Sequence, residues 1–193
     1  MTRRAVGRVL TTLLATAVVG TAAGPAAAAP AGTEGRTGYA DATFDGIDDS
    51  TGRTVHSVFS VFDPQDQAPF GTTDFFVGED AGIVYECVTD QRTPATISGL
   101  DFAGAAGVLR VDCHSPMGLP SRSGYAVVGV LWRGEGPVEH LVFPREECTE
   151  YLDVRHARVV GAVLLAVPGV AVTTLTPHDH PADEIRQQRV VCA

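Results

Sequence analysis

Beyond residue 40 the chain is a succession of short runs rich in valine, isoleucine, threonine and aromatic residues, each closed by glycine, proline or aspartate. Within residues 57–62, Val58 and Phe62 fall on one side of a pleat and Phe59 and Val61 on the other, so both faces of that segment read as covered. Strand patterns of the same kind span 72–77, 82–88, 95–102, 107–113, 125–132, 138–143, 154–166 and 170–174. Their spacing of roughly 10 to 15 residues is that of a sandwich or barrel and leaves no room for crossover helices. The pattern predicts an all-β fold, an antiparallel β-sandwich of about 8–10 short strands. Helical signals are confined to 182–190, behind Asp179 and Pro181, and to 146–152, which allows at most one or two short helices.

The N-terminus departs from this pattern. Arg3, Arg4 and Arg8 precede an apolar run, 9–19, and a stretch of small residues, 22–29. That order is the one a secretory signal peptide shows, with cleavage after Ala28. The apolar core of about 11 residues is short of the roughly 20 that span a bilayer as a helix. The predicted layout is a signal peptide over 1–28, a disordered lead-in over 29–42 and a single β-rich domain over 43–193. The mature protein is expected to be secreted.

Composition sharpens this picture in three ways. All basic residues are arginine and asparagine is absent, a bias of GC-rich codons that points to a high-GC bacterial genome. Loss of the three leader arginines takes the formal charge from −9 to −12. An acidic domain of that charge repels phosphate backbones and anionic lipid heads, which argues against nucleic-acid and membrane partners. The mature part keeps four cysteines, Cys87, Cys113, Cys148 and Cys192, with no CxxC pair, so disulfides are expected and a zinc ribbon is not. Three connectivities are open. If strands 82–88, 95–102 and 107–113 form a meander, Cys87 and Cys113 end on the same side, which favours 87–113 with 148–192.

Residues able to carry chemistry are scattered. His178 and His180, with Asp183 and Glu184 downstream, have the spacing of an HxH metal pair in a loop between Pro177 and Pro181. Asp41, Asp45, Asp48 and Asp49 resemble a calcium loop loosely, but Ile47 occupies one ligand position. His56, His140 and His156 lie within strand patterns and no GxSxG elbow accompanies them. Glu139, Glu146 and Glu147 offer carboxylates without a separation that the sequence can fix. Trp132, the sole tryptophan, ends an apolar strand and reads as core, and Tyr39, Tyr85, Tyr125 and Tyr151 are too dispersed to form a sugar platform.

Trp132, Gly134, Gly136 and Pro137 form a W-x-G-x-G-P turn, followed by Arg155-His156-Ala157-Arg158 and Gly161. With Leu100 and the alanines at 103–106, this resembles uncharacterised exported β-domain proteins of high-GC Gram-positive bacteria across roughly 44–174. That resemblance implies a secreted β-sandwich and no known chemistry. A second, local likeness is to the subtilisin-inhibitor family, carried by Cys113, Pro116, Met117, Gly129-Val130, Trp132, Gly134 and Glu147-Cys148. It implies a Cys113–Cys148 bridge, a presented loop opening on Ser115 and closing on Pro120, and Met117 as the reactive-site residue.

The residues together predict an exported, non-catalytic β-sandwich protein, monomeric and without a cofactor. Its expected role is extracellular binding or an accessory task, with an unidentified protein or ligand as partner. One alternative is a secreted serine-protease inhibitor presenting loop 115–120. A second is a metal-binding protein or metal-dependent enzyme using His178 and His180.

Overall fold

A computed structural model describes residues 33–79, 82–145, 148–178 and 183–192. The signal peptide expected over 1–28 lies outside the described residues. Ten strands follow in order: β1 Thr33–Asp48, β2 Arg53–Asp63, β3 Phe70–Glu79, β4 Gly82–Thr89, β5 Thr93–Ser98, β6 Phe102–His114, β7 Arg122–Pro144, β8 Cys148–Val167, β9 Ala171–Pro177 and β10 Glu184–Cys192. All-β architecture, antiparallel pairing and two disulfides stand as expected, and the described residues contain no helix.

The two sides of the expected sandwich are joined into one closed ladder. Neighbouring strands pair β1-β2-β3-β4-β6-β7-β8, and the ring closes because β9 and β10 both bridge β8 to β1. β9 fills the gap beside the C-terminal part of β8, and β10 fills it beside residues 148–156. β4 and β5 share the gap between β3 and β6 in the same way. The result is an up-and-down barrel of eight strand positions, two of them filled by a broken strand.

Alternation puts one side chain in two inside this barrel, and at eight positions the interior is just wide enough for side chains to fill. Phe44, Phe59, Phe75, Leu109, Trp132, Leu165 and Leu175 are all fully buried there. Trp132 packs on Phe59 at 5.9 Å between ring centroids and donates its indole N–H to the Asp41 carbonyl at 2.9 Å. Its assignment to the core was correct. A buried polar pair near them is satisfied: the Ser57 and Thr73 hydroxyls lie 2.6 Å apart, and Thr73 also donates to the Val58 carbonyl.

Four expectations need correction. Residues 33–42 are not a disordered lead-in but the first part of β1, paired with β10 on one edge and, from Gly38, with β2 on the other. Small side chains are what that position needs, since Ala40 and Ala42 point into the crowded interior. Residues 184–190, expected as helix, are strand β10, because two open ladder edges supply more hydrogen bonds than a weak helical preference can offset. The described part of 146–152 likewise belongs to β8 from Cys148 onward. Finally, β4 and β6 are antiparallel neighbours rather than the parallel outer strands of a meander, with Cys87 directly opposite Cys113. The bridge favoured by the sequence is formed, for a different geometric reason.

The W-x-G-x-G-P segment marks where β7 leaves the barrel. A Cβ on Gly134 would sit 2.1 Å from the Leu100 carbonyl oxygen, so only glycine fits, and Gly136 takes φ +72°. Arg155 clasps the turn by pairing with Asp101 and donating to the Gly136 carbonyl at 3.1 Å. Beyond this bulge, residues 138–144 pair with 149–155, which pair in turn with β10. This extension is stapled by Cys148–Cys192. Leu141, Val142 and Phe143 are exposed on it.

Candidate functional site

On β7 the inward residues Ala126, Val128, Val130 and Trp132 are buried, so Tyr125, Val127, Gly129 and Leu131 face outward. Cross-strand register carries that outer face over four strands. Arg110, Tyr125, Ala166 and Val172 form one row, and Val108, Val127, Leu164 and Thr174 the next. Ala106, Gly129 and Ala162 form a third row, and Gly104, Leu131 and Val160 a fourth. Val108 and Tyr125 are each 61% exposed and Val172 is 57% exposed. Within these four rows Arg110, at one corner, carries the charge, and the next outward row, Phe102, Arg133 and Arg158, brings two arginines to the far edge.

The third row is low. A Cβ built on Gly129 would meet nothing within 4 Å, so a shallow trough crosses the strands between the Val127 and Leu131 rows. At the β9 side the face runs into a depression formed by Ile47, Asp48, Asp49 and Ser50 against Leu164 and Val172. That turn is rigid. The Asp48 carboxylate accepts from the Ser50 amide at 3.0 Å, the Ser50 hydroxyl at 2.8 Å and the Thr51 hydroxyl at 3.0 Å. Burial by itself pushes this carboxyl up, but the hydrogen bonds more than offset it and hold Asp48 below the ordinary aspartate value. On β9, the Thr173 hydroxyl donates to the Ile47 carbonyl at 2.7 Å and ties β1 to this edge.

Residues singled out in the sequence fall elsewhere. His178 lies beside Asp45, which also pairs with His56: the His56 Nδ1 is 2.7 Å and the His178 Nδ1 is 3.5 Å from that carboxylate. Asp179 and His180, like Glu146 and Glu147, lie outside the described residues. Among the described residues no group of three such side chains is placed to hold a metal ion. The four aspartates of the calcium-like stretch do not share a site, since Asp45 serves the histidines and Asp48 closes the turn. His140 pairs with Asp153 at 2.7 Å. Glu139 and His156 meet in a shallow open depression with Glu135 and Glu184, the latter also bound by Arg186. Of the tyrosines, Tyr85 is buried, Tyr39 packs on Phe62, Tyr151 lies under Arg189, and Tyr125 alone belongs to the apolar face.

The inhibitor likeness implied Cys113–Cys148. The chain instead forms Cys87–Cys113 and Cys148–Cys192, so that bridge is not made. Loop 115–120 is exposed, but the Gly118 amide bonds the Ser115 carbonyl at 3.2 Å and the Met117 amide bonds the Ser115 hydroxyl. The segment is a tight turn, not an extended strip that a protease cleft can pair with.

Sequence reasoning missed the apolar face. Its signal was present: residues 125–131 and 160–166 are apolar or small at both alternations, which marks a strand covered on both sides. In 57–62, where that inference was drawn, Val58 stands exposed beside Asp74. Comparison of the chain with protein-family models, curated proteins and solved structures finds no match in any of the three.

Proposed function

We propose that this chain is an exported, non-catalytic protein that works by association, with the outer face of β6–β9 as its working surface. The observation that carries this is a mostly apolar face, with charge only at its edges, on a molecule of formal charge −9, or −12 without the leader. Water leaves such a face at a gain of about 25 cal/mol per Å² of apolar area covered. Patches of that kind mark interaction surfaces. Two disulfides are compatible with an oxidising extracellular location and support the secreted assignment. The charged outer face of β1–β4 and the apolar interior are the reverse of a lipid-spanning barrel, which supports a protein or small-ligand partner. The inhibitor alternative rests on a bridge the chain does not make, and the metal alternative on a histidine pair of which only His178 is described.

A photo-crosslinking residue placed at Val127 or Leu164, with Val58 as control, tests the proposal in the medium of the secreting cells. A discrete adduct at 127 and 164 but not at 58 is expected. Equal yields at all three positions, or none, would overturn it.

A further inference from the structure

We infer that the free edge of β7 along residues 138–144 takes up an added β-strand, an extended apolar segment of another protein that carries a basic residue. This site is separate from the outer face of β6–β9 and does not rest on it. The ladder itself shows where a strand is wanting. Beside β8, β9 and β10 share one strand position end to end, and between β3 and β6 another is shared by β4 and β5. Beside β7, β6 reaches only to Phe102 opposite Arg133, where the Gly134 amide bonds the Asp101 carbonyl at 2.9 Å. Past that point β7 runs on through 138–144, paired with β8 on one edge and, among the described residues, with no strand on the other.

The hairpin lays out the chemistry of that edge. The Arg145 amide bonds the Cys148 carbonyl at 2.8 Å, and the register from there back to Val138 opposite Arg155 is unbroken. Antiparallel alternation then turns the N–H and C=O of Glu139, Leu141 and Phe143 toward β8 and those of His140 and Val142 outward. Pro144 fits this placement, because its missing N–H falls on the outward side, where β8 loses no bond. Free edges are ordinarily blunted by charge or by bulges along their length. Here the one carboxylate of the segment, Glu139, lies at the bulge end. Leu141, Val142 and Phe143 are exposed beyond it, Val142 by 55%, and Cys148–Cys192 ties the strands behind them.

The occupant follows from these groups. A straight row of outward amides and carbonyls is matched by another backbone in extended form. Side chains of the added strand alternate, one set meeting Leu141 and Phe143 and the other Val142, so both sets are apolar there. Glu139 lines an acidic depression with Glu135 and Glu184, and a positive side chain is the favourable cross-strand partner at that level. The formal charge of −9 favours the same basic partner over a second copy, which would bring another Glu139 and the same net charge.

Residue-resolved amide exchange on the mature protein tests the inference. In the free protein the amides of Glu139, Leu141 and Phe143 are expected to exchange slowly and those of His140 and Val142 fast. The probe is a capped seven-residue peptide with valine at its second, third and fourth positions, arginine at its sixth and threonine elsewhere. Running antiparallel to β7, as β6 does, it sets the arginine opposite Glu139. At about ten times its dissociation constant it should slow exchange at His140 and Val142 about tenfold. Methyl groups on its third and fifth amides, which face β7, should abolish this, and on its second and fourth should leave it intact. Val142→Pro removes an outward amide and no bond to β8, so it should keep the fold and both disulfides yet lose the peptide. No slowing by the peptide, or equal behaviour of the two methylated peptides, would overturn the inference. Slow exchange at His140 and Val142 in the free monomer would overturn it too, by showing the edge already filled. Protection that grows with protein concentration alone would make the occupant a second copy and overturn the partner assigned here.

Discussion

The outer faces of β1–β4 and β6–β9 lie on opposite sides of one barrel and are built by the same ladder, yet charge is interspersed through the first and kept to the edges of the second. Rows on the first side read Asp45, His56, Phe76, Glu86 and Thr43, Val58, Asp74, Val88. The corresponding rows on the second side hold Arg110, Tyr125, Ala166, Val172 and Val108, Val127, Leu164, Thr174. Inner positions on both sides are buried and mostly apolar. The fold therefore does not require an apolar exterior. What differs between the sides is free to serve something outside the barrel.

The largest effect should come from what the two sides share. Trp132 of β7 packs on Phe59 of β2 across the interior, so Trp132→Ala is expected to cost about 4 kcal/mol, read as a fall in the denaturant midpoint. Both outer faces should be lost together, because one core supports them. Replacing Cys148 and Cys192 by serine comes next, at about 4 kcal/mol or less, since that bridge closes a longer loop than Cys87–Cys113 does (sequence separations 44 and 26). Hydrogen exchange should show the extension around 138–155 opening first, with the barrel strands still protected. Uniform loss of protection would contradict the division between barrel and extension.

The third prediction concerns the turn that borders the apolar face. Asp48 is held low in the folded state, so its stabilisation is complete above the unfolded aspartate value of about 3.9 and is lost as pH falls through the lower folded value. Asp48→Asn is expected to cost about 1.5 kcal/mol at pH 7, and the gap from the parent should narrow below about pH 4. A gap that stays constant from pH 7 to pH 2 would show that the carboxylate charge is not what holds the turn. The smallest stability effect should come from the faces themselves. Val127→Arg and Val58→Arg are each expected to shift unfolding by less than about 0.5 kcal/mol, being exposed. Only the first should alter association, and equal behaviour of the two variants would erase the distinction between the sides.

Much of this architecture was legible along the chain. Strand character at 57–62, 72–77 and 107–113, the buried Trp132 and the even cysteine count follow from local patterning, which needs no knowledge of neighbours. Where neighbours decide, local patterning misled. Residues 182–190 read as helix because alanine, glutamate, arginine and glutamine favour one, but at 184–190 β8 and β1 present two open edges. The glycine- and alanine-rich start of β1 read as disordered, although a barrel interior filled by Phe44, Phe59 and Trp132 has room beside them only for small side chains. The W-x-G-x-G-P segment was visible as a motif, and its role as the exit of β7 from the barrel required Leu100, Asp101 and Arg155 in place.

By itself the sequence determined the secondary-structure class and which side chains are apolar, because alternation and turn residues act over a few positions. Tertiary structure alone decided ring closure, strand direction at Cys87 and Cys113, and the assembly of Val108, Val127, Leu164 and Val172 into one surface. Those residues are far apart along the chain, and only the register of four strands makes them neighbours.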